Sequence, residues 1–224
     1  MARALPVRAV LFDLDGTLAD TAGDLAAALN RVRADRSLRP LEVAVLRPHA
    51  SDGTRGMLDA GLGIKRDDPR FEGLKESFLG YYQASLCEHT RLFPDAGRVL
   101  SEIESRGLPW GIVTNKATRF TLPLLERLDL AQRAGAIVCG DTTAQSKPHP
   151  APLLHAASML GVEPGLCVYV GDAERDVIAA RAAAMKAIVA SYGYIHPDAR
   201  PDTWAPDGFI ASLAALPEWL PTSP

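Results

Sequence analysis

Two aspartates stand two residues apart directly after an apolar segment, and they are the strongest chemical signal in the sequence. Asp13 and Asp15 belong to Asp-Leu-Asp-Gly-Thr, in which the glycine permits a tight turn. Two carboxylates at the edge of a sheet are costly unless a positive group joins them, and a hard divalent cation with oxygen ligands is a suitable partner. A pair of turn-forming or helix-capping aspartates remains the alternative.

Three further fragments carry groups that bind phosphate or a cation. Thr114 and Asn115 offer a hydroxyl and backbone N–H groups at the start of a predicted helix, where an anion is favoured. Lys147, in a proline-rich loop, has the charge to pair with phosphate and with carboxylates. Asp172 and Asp176 are four residues apart and share one face of a helical turn. Taken singly, each fragment has an ordinary alternative, either helix capping or a solvated loop.

Short apolar runs alternate with amphipathic segments along most of the chain. This alternation predicts an α/β fold with a doubly wound, Rossmann-like parallel sheet. Ligands in open α/β sheets lie beyond the carboxyl ends of the strands, so the fold is expected to bring the four fragments to one edge. The predicted strands are 7–14, 110–114, 136–139, 166–170 and 187–190, with a short strand near 209–210.

The stretch from residue 20 to residue 89 interrupts this alternation. It predicts helices joined by polar and glycine-containing turns, without a strand. We therefore expect a core domain of residues 1–19 plus 90–224 and a helical cap domain of residues 20–89, with the two chain crossings acting as hinges. The predicted cap helices are 22–34, 41–46 and 71–86, with a further helix that begins near Arg55.

The composition excludes several classes of protein. Of the 224 residues, 47% are apolar, and 24 Lys and Arg stand against 27 Asp and Glu, a net charge of −3. Disorder and a basic nucleic-acid-binding surface are therefore not expected. No apolar run approaches the ~18 residues of a membrane span, and the N-terminus does not resemble a signal peptide. Three cysteines without a CxxC motif indicate reduced thiols, hence a cytoplasmic protein. From the charge balance and the lack of a long apolar run, no nucleic-acid or membrane partner is expected.

The four fragments resemble, in content and in order, the four sequence motifs of the haloacid dehalogenase-like (HAD) superfamily. The insertion after the first motif resembles the helical cap of the phosphoglycolate phosphatase-like branch. This resemblance implies Mg²⁺-dependent hydrolysis of a small phosphate monoester through an aspartyl-phosphate. The second aspartate of the first motif, Asp15, favours a phosphatase over the dehalogenases and transport ATPases of the superfamily.

The resemblance also implies a role for each motif residue. Asp13 would be the nucleophile, and Asp15 the general acid and then the general base. Thr114 and the Asn115 amide would hold the phosphate oxygens, and Lys147 would neutralise Asp13 and the phosphoryl group. The implied Mg²⁺ ligands are Asp13, the Asp15 backbone carbonyl and Asp172, with Asp176 supporting the metal site from nearby.

The cap is expected to select the substrate because it closes over the leaving group. Ser51 and Arg55 lie in its most informative segment and are expected to bind substrate; Arg55 suits a carboxylate or hydroxyl, with a solvated arginine as the alternative. Several stretches resemble the N-acetylmuramic acid 6-phosphate phosphatases, which implies that substrate. Phosphoglycolate, another sugar phosphate, or mutase activity on a sugar phosphate are the alternatives. The stretches are VRADR at 32–36, WGIVTNK at 110–116, RF at 119–120 and YGYIHP at 192–197.

Some positions depart from the family pattern or leave alternatives open. Ser37 and Ala184 stand where relatives usually carry glycine, and we expect both positions to be structural. The cap lysines Lys65 and Lys75 lie in polar segments expected to be exposed, which disfavours the phosphonate hydrolases that use a cap lysine. A phosphorylation-dependent signalling module is the non-enzymatic alternative, because receiver domains also gather acidic residues, a threonine and a lysine at a sheet edge. A monomer or a homodimer is expected.

Overall fold

A parallel sheet of six strands forms the centre of the molecule, which is represented by a computed structural model describing residues 7–221. The strands are β1 (Ala9–Phe12), β2 (Ala19–Asp20), β3 (Arg91–Leu92), β4 (Trp110–Val113), β5 (Ala136–Val138), β6 (Cys167–Gly171), β7 (Lys186–Ala190) and β8 (Gly208–Ile210). The order β5-β4-β1-β6-β7-β8 places β1 between β4 and β6, with Val10 opposite both Trp110 and Val168. The predicted α/β fold is confirmed.

Helices cover both faces of this sheet. The α-helices are α1 (Ala22–Ala34), α2 (Val43–Leu46), α3 (Gly53–Leu62), α4 (Phe71–Ala84), α5 (Ala96–Ser105), α6 (Thr118–Arg127), α7 (Ala151–Leu160) and α8 (Glu174–Ala182). Val10 and Phe12 of β1 pack into an apolar cluster with α5 and α6, whereas Ala9 and Leu11 pack into a second cluster with α7 and α8. Successive side chains of a strand point to opposite faces, so a strand buried on both faces is apolar throughout.

The helical insertion comprises α1 to α4 and lies between β2 and β3. Two predicted helices are shorter than expected, because α2 begins at Val43 and α4 ends at Ala84. The expectation that no strand lies in this stretch is wrong at Asp20, where β2 pairs with β3. A ribbon of two residues per strand is too short to show an alternating pattern in the sequence.

The two chain crossings between the sheet and the insertion are tied together. Ala19 and Asp20 of β2 pair antiparallel with Leu92 and Arg91 of β3. The buried Asp24 carboxylate of α1 accepts hydrogen bonds from His89 N, Thr90 N and Thr90 Oγ1 at 2.7, 3.1 and 2.5 Å. These bonds satisfy a charge that would otherwise be costly to bury.

The division of the chain at residues 19/20 and 89/90 stays a prediction. Residues 1–6 and 222–224 of the predicted core, and with them the expected absence of a signal peptide, lie outside the described residues. Within residues 7–221, no helix combines the length and the apolar character needed to cross a bilayer. Cys87, Cys139 and Cys167 are free thiols.

Ala184→Gly should stabilise the fold. Ala184 has a φ of +58°, a left-handed conformation that costs an L-residue about 1–2 kcal/mol, whereas glycine adopts it freely but loses more chain entropy. We expect the free energy of unfolding in urea to rise by about 0.5–1 kcal/mol. The matched control is Ala182→Gly at the exposed last position of α8, which should lower it by about 0.5–1 kcal/mol. Destabilisation by both substitutions would contradict the argument.

Candidate functional site

The structure brings the four sequence fragments together at the carboxyl ends of the strands. Asp13 follows β1, and its Oδ1 lies 2.9 Å from Lys147 Nζ. The same ammonium donates to Asp176 Oδ1 at 2.7 Å and to the Tyr169 hydroxyl at 2.6 Å. Burial acts against the charge on Lys147, but Asp13 and Asp176 outweigh it and raise the pKa of the lysine. A buried, protonated lysine therefore stands beside the predicted nucleophile.

Three buried aspartates form a group with the chemistry of a metal site. One carboxylate oxygen each of Asp13, Asp172 and Asp176 lies within 4.8 Å of the others. Burial, followed by the charges of Asp13 and Asp176, raises the pKa of Asp172 to about 8. Burial also raises the pKa of Asp13, although Lys147 opposes that shift. Like charges about 5 Å apart repel by ~3 kcal/mol at an effective dielectric constant of ~20, so a cation would relieve this cluster.

Gly16 leaves room for the Asp172 carboxylate beside the backbone of the first motif. Gly16 has a φ of +84°, and a Cβ there would stand 2.1 Å from Asp172 Oδ2. Glycine is therefore required both by the turn and by the close approach of the carboxylate. Hard oxygen ligands in this number are consistent with a metal site. Asp176, expected near the metal, lies within the same group, where its Oδ1 holds Lys147 and its Oδ2 accepts from Ala173 N at 3.0 Å.

Asp15 lies beside this cluster and is held by two side chains. Its Oδ1 accepts a hydrogen bond from Thr21 Oγ1 at 2.5 Å and lies 3.0 Å from Lys116 Nζ. The Lys116 ammonium also stands 4.8 Å from the centre of the Tyr82 ring of α4. Burial opposes its charge, but Asp15 and Tyr82 raise the pKa of Lys116, so the lysine keeps its proton. Lys116 is not among the predicted site residues, although it is the last residue of the stretch WGIVTNK at 110–116.

The second fragment is tied to the third. The Asn115 side chain donates to the Lys147 carbonyl at 2.9 Å and accepts from Lys147 N at 3.0 Å, so it fixes the lysine loop. This contact leaves its backbone amide as the group expected to meet phosphate. Thr114 is buried, and its hydroxyl accepts from Lys116 N at 3.2 Å. Both Thr114 and Asn115 line the cavity described below.

The cap reaches the core through the segment before α3. The Ser51 hydroxyl donates to Asp172 Oδ1 and Oδ2 at 3.1 and 3.2 Å. Arg175 of α8 donates to the Ser51 carbonyl at 2.5 Å and lies 3.2 Å from Asp52 Oδ1. Arg55 lies 3.1 Å from Asp52, and its side chain is 63% exposed. Ser51 thus contacts an aspartate of the core site, and Arg55 lines the cavity described below; the binding roles of both stay predictions.

A cavity of about 850 Å³ lies between the cap and the core, and Asp13, Asp15, Lys147 and Asp172 are among its lining residues. Lys75, expected to be exposed, is one of its lining residues and pairs with Glu72 at 2.8 Å. Phe78 and Tyr82 of α4 are buried and also line this space. The cavity also has lining residues for which no binding role is predicted from the sequence. They include Lys116, Arg119, Phe120, Arg175, Tyr194, Ile195 and Trp204.

Comparison with known proteins identifies the class of this protein. A family model described as haloacid dehalogenase-like hydrolase matches residues 10–190, which is most of the chain. The chain therefore belongs to the haloacid dehalogenase-like hydrolases, and the resemblance read from its four motifs is confirmed.

Its relatives narrow the class to the phosphatases. A curated N-acetylmuramic acid 6-phosphate phosphatase of Pseudomonas aeruginosa is 40% identical over 208 residues, which cover 93% of this chain and 92% of that protein. A phosphoglycolate phosphatase of Xanthomonas campestris pv. campestris is 42% identical over 216 residues, 96% of each chain. The crystal structure of a predicted phosphoglycolate phosphatase from Haemophilus somnus 129pt superposes with a TM-score of 0.83 at 25% identity, covering 95% of this chain and 97% of that one. The protein is a HAD-like phosphatase of the phosphoglycolate phosphatase branch.

Binding of Mg²⁺ should tighten as the pH rises toward about 8. Burial and the neighbouring Asp13 and Asp176 raise the pKa of Asp172 to about 8, so a proton competes with the cation below that pH. We expect the Mg²⁺ affinity to rise by up to about tenfold per pH unit between pH 6 and 8 and then to level off.

Isothermal titration calorimetry in buffers of different ionisation enthalpy measures both the affinity and the proton released. Asp172→Asn, which has no carboxyl proton to lose, should bind Mg²⁺ weakly and show a smaller pH dependence. An affinity that stays constant from pH 6 to 8 in the unsubstituted protein would show that Asp172 does not titrate at the site.

Proposed function

We propose that this phosphatase hydrolyses N-acetylmuramic acid 6-phosphate in a Mg²⁺-dependent reaction through an aspartyl-phosphate. The observation that supports the chemistry best is the convergence of Asp13, Lys147 and Asp172 on one buried point below the cavity. The relatives named for this substrate and for phosphoglycolate support the class of substrate.

In the first half of the reaction, a carboxylate oxygen of Asp13 attacks the phosphorus atom of the ester. The bond from phosphorus to the sugar oxygen breaks as the bond to Asp13 forms, and Asp15 gives its proton to the departing oxygen. In the second half, Asp15 takes a proton from water as that water attacks the phosphorus atom. The bond to Asp13 then breaks, and inorganic phosphate leaves while both aspartates return to their starting states.

The main electrostatic obstacle is the approach of one anion to another in a buried site. Lys147, 2.9 Å from Asp13, supplies one positive charge that does not move during the reaction. Asp13, Asp172 and the Asp15 carbonyl would hold Mg²⁺, which when bound supplies further positive charge to the transferring phosphoryl group. Thr114 and the Asn115 amide would donate hydrogen bonds to the phosphoryl oxygens.

The position of Asp15 suits proton transfer to a leaving group in the cavity. Thr21 and Lys116 both contact its Oδ1 and not its other oxygen, and Asp15 lines the cavity. Fixing a catalytic carboxyl in one orientation lowers the entropic cost of reaching the transition state. Lys116 is therefore proposed as the residue that orients the acid, with the cap residue Tyr82 packed against it.

The size and charge of the cavity favour an acidic sugar phosphate over smaller esters. A volume of about 850 Å³ is far larger than a two-carbon phosphate ester needs, and lies within the range of sites that enclose whole drug-sized ligands. Beyond the phosphate site, the cations Arg55, Lys75 and Arg119 line the space together with aromatic side chains. A carboxylate and a sugar ring on one substrate would use both kinds of contact.

Asp15→Asn should cripple turnover and leave metal binding intact. The carboxyl is proposed to move a proton, a contribution of about 10²–10⁴-fold to the rate, whereas the proposed metal contact uses the backbone carbonyl. The initial rate of phosphate release at saturating substrate gives kcat, and calorimetry gives the Mg²⁺ dissociation constant. Asp13→Asn should abolish turnover by removing the nucleophile, and Asp129→Asn, exposed on the core, is the control. Loss of Mg²⁺ affinity in Asp15→Asn equal to its loss of kcat would overturn the role given to its carboxyl.

Arg119→Met should reduce selectivity for the substrate carboxylate. The informative measurement compares kcat/KM for N-acetylmuramic acid 6-phosphate with that for N-acetylglucosamine 6-phosphate, which lacks the lactyl carboxylate. Loss of a charge-assisted contact worth ~1.5–3 kcal/mol should reduce this ratio by about 10–100-fold. Lys65→Met, outside the main cavity, should leave the ratio unchanged.

Phosphoglycolate serves as the third substrate in the same panel. A higher kcat/KM for phosphoglycolate than for N-acetylmuramic acid 6-phosphate in the unsubstituted enzyme would rule out the proposed substrate. An unchanged ratio between the two amino sugar phosphates in Arg119→Met would rule out only the carboxylate contact at that residue.

A further inference from the structure

The segment of residues 192–194 follows β7 and packs against the loop that carries Asp13 and Asp15. The Tyr192 hydroxyl donates to the Thr17 carbonyl at 2.8 Å. A Cβ at Gly193 would stand 2.5 Å from the Gly16 carbonyl oxygen and 2.4 Å from Asp172 Cβ, so the backbone of this segment lies directly on the metal-site residues. The sequence drew attention to this stretch as part of YGYIHP, and the reaction proposed above gives it no role.

Tyr194 contacts the metal site through its backbone. Its N–H donates to Asp172 Oδ2 at 2.8 Å, and this bond lowers the pKa of Asp172 against the larger effect of burial. The bond fixes the carboxylate relative to the peptide of Tyr194. A change in the charge or position of Asp172 therefore alters the strength of its hydrogen bond with the Tyr194 N–H.

The other end of Tyr194 contacts the point where the chain enters the cap. Its hydroxyl accepts hydrogen bonds from Thr21 N at 2.6 Å and from Ala22 N at 3.0 Å, and donates to Asp20 Oδ1 at 2.8 Å. Thr21, at the N-cap position of α1, turns its own hydroxyl to Asp15 instead. A tyrosine from the core thus satisfies the first free N–H groups of a cap helix.

The ring of Tyr194 lies between the two crossings and the cap. Its centre is 6.3 Å from that of Phe93, just beyond β3, and 5.6 Å from the guanidinium carbon of Arg47. Arg47 in turn lies 2.9 Å from Asp20 Oδ1, which also accepts from the tyrosine hydroxyl. Burial raises the pKa of Tyr194, so its hydroxyl keeps the proton that it donates.

We propose that Tyr194 is a positioning residue that couples occupancy of the metal site to the hinge of the cap. Its backbone N–H holds Asp172, its hydroxyl holds the start of α1, and its rigid ring joins the two. Binding of a cation by Asp172 then stabilises the hinge, and a disordered hinge weakens cation binding. The coupling rests on the proposed metal site and adds to it a link to cap closure.

Hydrogen–deuterium exchange of the full chain, with and without Mg²⁺ and without substrate, tests this coupling. We expect Mg²⁺ to slow exchange in the peptide that contains Thr21 and Ala22 by about three- to tenfold, because these amides exchange when the hinge opens locally. Tyr194→Phe keeps the ring and the backbone N–H but removes the hydroxyl, so this Mg²⁺ effect should disappear. The matched control is Tyr192→Phe, which removes a hydroxyl from the same segment and should preserve the effect.

Calorimetry supplies a second and independent measure of the coupling. Because coupling between two equilibria is reciprocal, Tyr194→Phe should weaken Mg²⁺ binding by about the factor by which Mg²⁺ slows hinge exchange. Tyr192→Phe should bind Mg²⁺ as the unsubstituted protein does.

The outcomes separate the coupling from the proposed metal site. Mg²⁺ binding that leaves hinge exchange unchanged in the unsubstituted protein would overturn the coupling and leave the metal site standing, even if Tyr194→Phe did not fold. A Mg²⁺ effect that survives in Tyr194→Phe would assign the coupling to another residue. Failure of the unsubstituted protein to bind Mg²⁺ would overturn the metal site and the coupling together.

Discussion

The main constraint on this structure is a group of three carboxylates buried close together at one edge of the sheet. Asp13, Asp172 and Asp176 stand within 4.8 Å of one another, and one lysine, Lys147, contacts two of them. Burial of carboxylates without compensation is among the most expensive arrangements in a folded protein. Burial, and after it the charges of Asp13 and Asp176, raise the pKa of Asp172. A cation bound by these carboxylates would offset part of that cost.

The fold meets this cost by making the surroundings of the cluster rigid. Two strands buried on both faces, β1 and β6, carry Asp13 and Asp172, and their pairing fixes the spacing of the two aspartates. Asn115 holds the loop of Lys147 through hydrogen bonds. Ser51 of the cap contacts the core through hydrogen bonds with Asp172 and Arg175. Each of these contacts joins elements far apart in sequence, so the site forms only when sheet, loops and cap are assembled. Preorganisation of this kind places the charges before the substrate arrives.

The sequence predicts this core well because its signals are local. Asp13 and Thr114 directly follow runs of apolar residues, and buried parallel strands place their carboxyl ends at one edge. Ser37 and Ala184 are predicted to be structural positions. Their positive φ angles, of +55° and +58°, agree with this, because such a backbone conformation favours glycine.

The site residues that could not be predicted from the sequence make contacts with residues far away along the chain. Lys116 meets Asp15 from another strand, and Tyr194 reaches Thr21 over 173 positions. A lysine after a strand or a tyrosine in a loop has no local pattern that distinguishes it from a solvated or packing residue. The predicted start of α2 and the predicted end of α4 each differ from the structure by two residues, because the terminal turns of helices fray and their boundaries are poorly defined.

The cations that line the cavity differ in whether a carboxylate already pairs with them, and this difference bears on the proposed selection of substrate. Three of its cations are already committed, because Lys147 pairs with Asp13, Lys116 with Asp15, and Arg175 with Asp52. Lys75 pairs with Glu72 in an exposed position, where ion pairs are weak and readily exchanged. Arg119 lies 4.6 Å from the centre of the Phe120 ring and is exposed to the cavity. Lys147 and Lys116, which hold the two aspartates of the first motif, would therefore serve a step common to phosphate esters. Lys75 of α4 and Arg119 of α6 would be available to distinguish one leaving group from another. Relatives that share the four motifs can thus differ in substrate through a few residues that the motifs do not include.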